Sequence, residues 1–182
     1  MRLNSILFAL ALLLFSSCRG MQNDLLPSGQ DKQPVAQQGT TGAGEGQYAP
    51  DFAVSDTLGN MVTLSSATTG HKAIVLYFTM WCPICDTDMT LIRSQLIPAY
   101  TDVAFYAVDY VSGSVSAARN AEVSNGYDGS GFTVLADTDQ AVLNAFGATM
   151  GSTIVIDQGN VIRMNESFKD GSKLTDTLAA LR

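Results

Sequence analysis

Two thiols in the stretch Trp81-Cys82-Pro83-Ile84-Cys85 are the residues of this chain best suited to chemistry. A pair so spaced can close a small disulfide at little entropic cost. If a helix starts at Cys82, its thiolate sits on unpaired backbone N–H groups at the positive end of the helix dipole. The apolar run Ala73-Ile74-Val75-Leu76-Tyr77-Phe78 lies just upstream, so a strand would deliver the pair to that helix N-terminus. A structural disulfide and half of a zinc site are the competing readings. Zinc takes four ligands, and the chain offers only Cys18 and His71 besides. The cysteine arithmetic favours a redox dithiol.

The elements that position this pair follow from patterning. Asp51–Asp56 and Met61–Leu64 alternate around Leu58-Gly59-Asn60 and read as a β-hairpin. Lys72–Thr79 is an unbroken apolar run, as in a strand buried on both faces. A helix is expected from Pro83, tolerated in a first turn, to about Ile97, with Pro98 limiting its far end. Met89, Ile92 and Leu96 fall at helical spacing and form its core stripe. Further strands are expected at Val103–Val111 and Thr133–Ala136, and helices at Ser114–Ser124 and Gln140–Phe146. Thr153–Asp157 and Val161–Met164 form a second hairpin, and Gly171–Leu181 a last amphipathic helix. The order implies an α/β domain with a mixed central sheet, helices on both of its faces, and an N-terminal hairpin extension.

The chain has 182 residues, 46% of them hydrophobic, enough for one globular domain plus extra segments. Its net charge is −7 with no run of Lys or Arg, which argues against nucleic acid as a partner. Arg2 and the apolar stretch Ile6–Phe15 give a positive n-region and an h-region of about 15 Å of helix, too short to span a bilayer. Residues 1–17 therefore read as a signal peptide. Residues 18–47, rich in Gln, Gly, Ser and Thr, read as a flexible tether with an r.m.s. span of about 30 Å, and residues 48–182 as the domain.

Phe15-Ser16-Ser17-Cys18 resembles a bacterial lipobox, with Phe15 in place of the usual Leu. The resemblance implies lipidation of Cys18 and anchoring to a membrane of the cell envelope, on its periplasmic side. Arg19 at the next position favours the outer over the inner membrane by the sorting rules of such lipoproteins. An exported protein also sits where disulfides persist.

With Trp-Cys-x-x-Cys at the end of the first long strand, the domain resembles the thioredoxin-like fold. More narrowly it is similar to the TlpA/ResA-type branch of the redoxin superfamily. Tyr48-Ala49-Pro50-Asp51-Phe52, the strand running into Cys82, and Phe146-Gly147 with Thr153–Asn160 match that branch over about residues 48–182. The resemblance implies an exported, membrane-anchored thiol–disulfide oxidoreductase that reduces or exchanges protein disulfides. It would act as a monomer, supplied by a membrane electron donor. Cys82 would be the nucleophile and Cys85 the resolving thiol. Asp88, one turn on, would exchange protons with Cys85, or else only favour the helix N-terminus together with Asp86. Trp81, Pro83, Met150, Gly151 and Ser152 would face the substrate, and Met80 would border it.

Two departures from the family pattern stand out. The buried Asp six residues before the first cysteine is Leu76, and Thr149-Met150-Gly151-Ser152-Thr153 lacks the family's cis-proline. Gly151 would then leave a looser platform opposite the dithiol. No cofactor and no resident metal is expected. Two alternatives remain. A peroxiredoxin-like thiol peroxidase is suggested by Thr79, three residues before Cys82, but Val75 stands where that family has proline and no Arg lies near Gly151. A Cu(I)-binding metallochaperone would use two soft thiolates, although its redoxin-fold relatives have a longer cysteine spacing and a distal His. Asp86 in the position after Cys85 also disfavours haem attachment.

Overall fold

The computed structural model describes residues 37–181. The expected signal peptide, Cys18 and most of the tether lie outside the described residues. Five strands form one mixed sheet in the order β5-β4-β3-β6-β7: β3 (Ala73–Thr79), β4 (Val103–Asp109), β5 (Phe132–Ala136), β6 (Ser152–Asp157) and β7 (Ile162–Ser167). β3 and β5 run parallel to β4, while β6 pairs antiparallel with both β3 and β7. β1 (Ala53–Ser55) and β2 (Met61–Thr63) make the separate hairpin.

Strand β3 is central because every one of its side chains is buried. Ala73, Val75 and Tyr77 enter one core with Met89, Ile92, Leu96, Phe168, Leu174 and Leu178. Ile74, Leu76 and Phe78 enter the other with Phe52, Val54, Leu64, Leu135, Val142 and Phe146. This two-residue alternation across a doubly covered sheet is why the sequence shows a continuous apolar run. The first core is covered by α2 (Pro83–Leu91) and α5 (Ser172–Ala180), the second by the hairpin, α1 (Leu64–Thr68) and α4 (Ala141–Ala145). Helix α3 (Val115–Ser124) follows β4, with Ser114 Oγ capping Ala117 N–H at 3.1 Å.

Three departures from the sequence expectation have a local cause. Leu64 opens α1 instead of ending a strand, because Thr63 and Ser66 form a reciprocal capping box. Pro98 does not end the second helix. The helix loosens into a π turn over Ile92–Leu96, where Ile97 N–H bonds Ile92 C=O, and then continues through Ile97–Ala99. A proline clashes with the carbonyl four residues back in a regular α-helix, and the wider turn relieves that clash. Strand β4 stops at Asp109 rather than Val111, for a reason that belongs to the site.

Ordered contacts also begin upstream of Tyr48. Gly46 N–H donates to Ile162 C=O at 2.8 Å, Asn165 Nδ2 to Ala43 C=O at 2.8 Å, and Lys173 pairs with Glu45 at 2.9 Å. The segment just before the expected domain start is thus fastened to β7 and α5. Among the described residues no helix is long and apolar enough to cross a membrane.

Candidate active site

The dithiol sits where β3 ends and α2 begins. Cys82 is the N-cap of α2, with extended backbone, and Pro83 follows at the start of the helix. A cap side chain must accept an orphan N–H of the first turn. Here the acceptor is sulfur: Cys85 N–H reaches Cys82 Sγ at 3.3 Å. Both cysteines are free thiols, Cys82 half-buried and Cys85 fully buried, with their sulfurs 2.7 Å apart. Burial alone would raise the Cys82 pKa. The Cys85 thiol and the backbone N–H groups of Cys85 and Ile84 outweigh it and hold Cys82 below the usual thiol range.

Trp81 takes a left-handed backbone conformation, φ +58°, which costs a non-glycine residue about 1–2 kcal/mol. Two polar contacts hold it there. Its N–H donates to Thr79 Oγ1 at 3.0 Å, and its indole Nε1–H donates to Asp109 Oδ2 at 2.7 Å. Asp109 is buried, and its Oδ1 also accepts from the N–H groups of Val111 and Ser112, both at 3.0 Å. Those bonds turn the chain out of the sheet and end β4. Tyr127 packs its ring 6.0 Å from that of Trp81 and donates its hydroxyl to Asp86 Oδ1 at 2.7 Å.

Beneath the thiols, Tyr77 donates its hydroxyl to Asp88 Oδ2 at 2.8 Å. Burial, then the Asp88 carboxylate, push the Tyr77 hydroxyl far above its usual range, with Cys85 adding to the effect. Tyr77 is therefore a permanent donor. Burial raises the pKa of Asp88, and the Tyr77 hydrogen bond partly offsets this. Leu76, at the position of the family's buried acid, lies in the opposite core. The polar group beside the buried thiol comes instead from Tyr77, one residue along.

The loop facing the dithiol is pinned, contrary to the looser platform expected. Gly151, at φ +76°, donates its N–H to Phe78 C=O at 2.9 Å and accepts from Phe168 N–H at 2.8 Å. Ser152, expected on the substrate side, points into the loop. It is buried, and its Oγ accepts from Thr149 N–H at 2.9 Å, so it shapes the loop from inside. Met150 stands out, with its Sδ 3.4 Å from Cys82 Sγ. Among the described residues, its backbone N–H and C=O have no partner. Met80, Ile84, Val111 and Met150 are exposed apolar side chains on the loops and helix turn that build this site.

The Redoxin family model matches residues 44–181, which include every one of these groups. The chain belongs to the Redoxin family. It is a thioredoxin-like thiol–disulfide oxidoreductase by fold and family. The redoxin is 30% identical over 125 residues to the thioredoxin-like protein YneN of Bacillus subtilis, covering 67% of this chain and 71% of that one. Among solved structures it resembles Mycobacterium tuberculosis (MTB) DsbF, in mixed oxidized and reduced forms, with TM-score 0.56 and 25% identity. That likeness covers 72% of this chain and 95% of DsbF. A putative thiol:disulfide interchange protein DsbE from Chlorobium tepidum shares the fold at TM-score 0.62 and 22% identity, over 78% of this chain and 99% of that one.

Sequence reasoning brought Cys82, Cys85, Asp88, Trp81, Pro83, Met150 and Gly151 to this region. It missed Tyr77, Asp109 and Tyr127. Tyr77 had a signal, being the one hydroxyl-bearing aromatic in an aliphatic buried strand, and Asp109 had another, a carboxylate closing an apolar run. His71 lies in the loop before β3, away from the dithiol. Each of the three arginines among the described residues already has a partner. Arg93 lies over the Tyr127 ring at 5.0 Å, Arg119 pairs with Glu122 and Asp128, and Arg163 pairs with Asp157.

Proposed function

We propose that this redoxin uses Cys82 and Cys85 to reduce or exchange disulfides of partner proteins. The observation that carries the reading is Cys82 Sγ at the N-cap of α2, 3.3 Å from Cys85 N–H and 2.7 Å from the buried Cys85 Sγ. The Cys82 thiolate attacks one sulfur of a partner disulfide. A Cys82–partner bond forms, the partner S–S bond breaks, and the second partner sulfur leaves as thiolate. Cys85 then gives up its proton and attacks Cys82, closing the Cys82–Cys85 disulfide and releasing the first partner sulfur as thiolate. Two electrons pass to the partner, and the dithiol must be regenerated by a donor at the membrane.

Asp88, held by Tyr77, receives the Cys85 proton in the second step. Its raised pKa supports that role. Met150 supports partner binding, since its unpaired N–H and C=O suit the backbone of an extended segment. Trp81, Pro83, Met80 and Ile84 supply an apolar border, and Gly151 keeps Met150 in place. The protein works as a monomer, exported by residues 1–17 and lipidated at Cys18. It is tethered to the periplasmic side of the envelope, at the outer membrane.

A full-length Cys85→Ala variant tests the chemistry. It is expected to accumulate a mixed disulfide at Cys82 with protein partners that the Cys82→Ala, Cys85→Ala double variant does not capture. Failure of wild-type protein to form a Cys82–Cys85 disulfide across a glutathione redox series would defeat the reading. Labelling of cells with a clickable fatty acid checks the anchor, with incorporation expected in wild type and lost in Cys18→Ala.

A further inference from the structure

Three sulfur atoms from two separate elements meet at this site. Cys82 Sγ is 2.7 Å from Cys85 Sγ and 3.4 Å from Met150 Sδ. The two thiols come from the first turn of α2 and the thioether from the loop before β6. That loop does not swing freely. Its backbone is bound to Phe78 and Phe168 through Gly151, and its Thr149–Ser152 turn is closed by Ser152 N–H to Thr149 C=O at 3.0 Å.

We propose that the reduced protein, once the Cys82 side chain turns to widen the 2.7 Å sulfur pair, holds one Cu(I) ion between Cys82 Sγ, Cys85 Sγ and Met150 Sδ. Thiolate and thioether donors are soft and select Cu(I) over harder ions. Zinc would need four ligands, and among the described residues no group of three or more His, Cys, Asp or Glu is placed to hold a metal. The nearby Asp88 carboxylate already accepts from Tyr77. Met150 and Cys82 are both partly open to solvent, which gives the ion a way in, while buried Cys85 closes the far side.

Binding displaces two thiol protons, leaves copper in the +1 state, and neutralises one of the two thiolate charges. It needs the reduced pair but does not depend on what that pair does to partner proteins. The Cys82–Cys85 disulfide offers no thiolate, so oxidation and copper loading exclude one another. The proposal departs from the expectation of no resident metal, and it rests on the Met150 Sδ contact with Cys82, which cysteine spacing and the position of His71 could not disclose.

The test uses full-length protein carrying Cys18→Ser, so that no third thiol competes. The reduced protein is titrated anaerobically with Cu(I) against bicinchoninate, and the loaded form is examined by X-ray absorption. One copper per chain and a shell of three sulfurs are expected. Met150→Leu, which keeps volume and apolarity, is expected to leave two sulfurs and weaken binding roughly tenfold or more. Two sulfurs in the unsubstituted site, or no loss of affinity in Met150→Leu, would overturn the proposal, and so would one copper shared between two chains. No tight copper binding in a protein that still forms and reduces its disulfide would overturn the copper site and leave the oxidoreductase reading standing.

Discussion

The indole N–H of Trp81 donates to the buried carboxylate of Asp109 at 2.7 Å, joining the residue before the nucleophile to the end of a neighbouring strand. β3 and β4 are in register there, with Thr79 opposite Asp109, and Thr79 holds the other end of the same tryptophan through its N–H. A left-handed tryptophan beside Cys82 persists because both ends are held. Asp109 touches neither sulfur, so it acts by positioning Trp81.

Asp109→Asn is expected to destabilise the fold by about 1–3 kcal/mol, since an amide turns donors toward groups that need an acceptor. Urea unfolding checks the midpoint. Trp81 is the only tryptophan, so its emission reports the local change directly. An unchanged midpoint with an unchanged spectrum would show that the carboxylate is not what holds the indole.

Cys82 should be alkylated before Cys85, which is fully buried. Its rate should fall as pH drops, with an inflection below the ordinary thiol value of about 8.5, because hydrogen bonds to the sulfur outweigh its burial. The folded value lies below the unfolded one. The thiolate therefore adds stability that is complete above about pH 8.5 and lost as pH falls through the folded value. Cys85→Ser should leave the backbone donors and shift the inflection only in part. An inflection at the ordinary thiol value in the wild type would contradict the cap geometry.

For Asp88 the sign is opposite. Burial raises its folded pKa above the unfolded one, so its contribution is complete below about pH 3.9 and is lost as pH rises through the folded value. Asp88→Asn keeps an acceptor for Tyr77 and removes the desolvated charge. It should raise Tm at pH 7 and leave it nearly unchanged at pH 3. If Asp88 accepts the Cys85 proton, the same variant slows resolution of a preformed mixed disulfide by about tenfold or more, read by stopped flow. Stabilisation without slowing would mark the residue as structural.

The resemblance implies a proline in the Thr149–Thr153 loop, but proline cannot stand at Gly151. Its φ of +76° is outside the proline range and its N–H is bonded to Phe78 C=O. Gly151→Pro should cost about 3 kcal/mol or more. Gly151→Ala meets only Asp88 Oδ2 and Tyr77 OH, both at 4.0 Å, so its expected cost of about 1–2 kcal/mol is backbone strain rather than collision. Thermal unfolding of the two variants separates these contributions, and equal losses would contradict them.

Much of this molecule can be read along the chain because the relevant forces are local or periodic. The apolar run of β3 announced a doubly buried strand, and Cys82-Pro83 announced a helix start. Met89, Ile92 and Leu96 announced the buried face of the second helix. The π turn before Pro98 was less legible, because its cause is a conflict between proline and the continued packing of Ile97 and its neighbours. The start of α1 turned on a reciprocal bond between Thr63 and Ser66 that competes with strand pairing over a single turn.

By itself, the sequence determined the dithiol, the strand that carries it and the apolar faces that bury that strand. These depend on neighbours a few residues apart and on side-chain period. Tertiary structure decided what faces the thiols. Asp109 reaches Trp81 across 28 positions, Tyr77 reaches Asp88 across 11, and Met150 reaches Cys82 across 68. Hydrogen bonds and sulfur contacts are short-ranged, so only the register of β3 with β4 and β6 and the fastening of Gly151 bring those partners within reach.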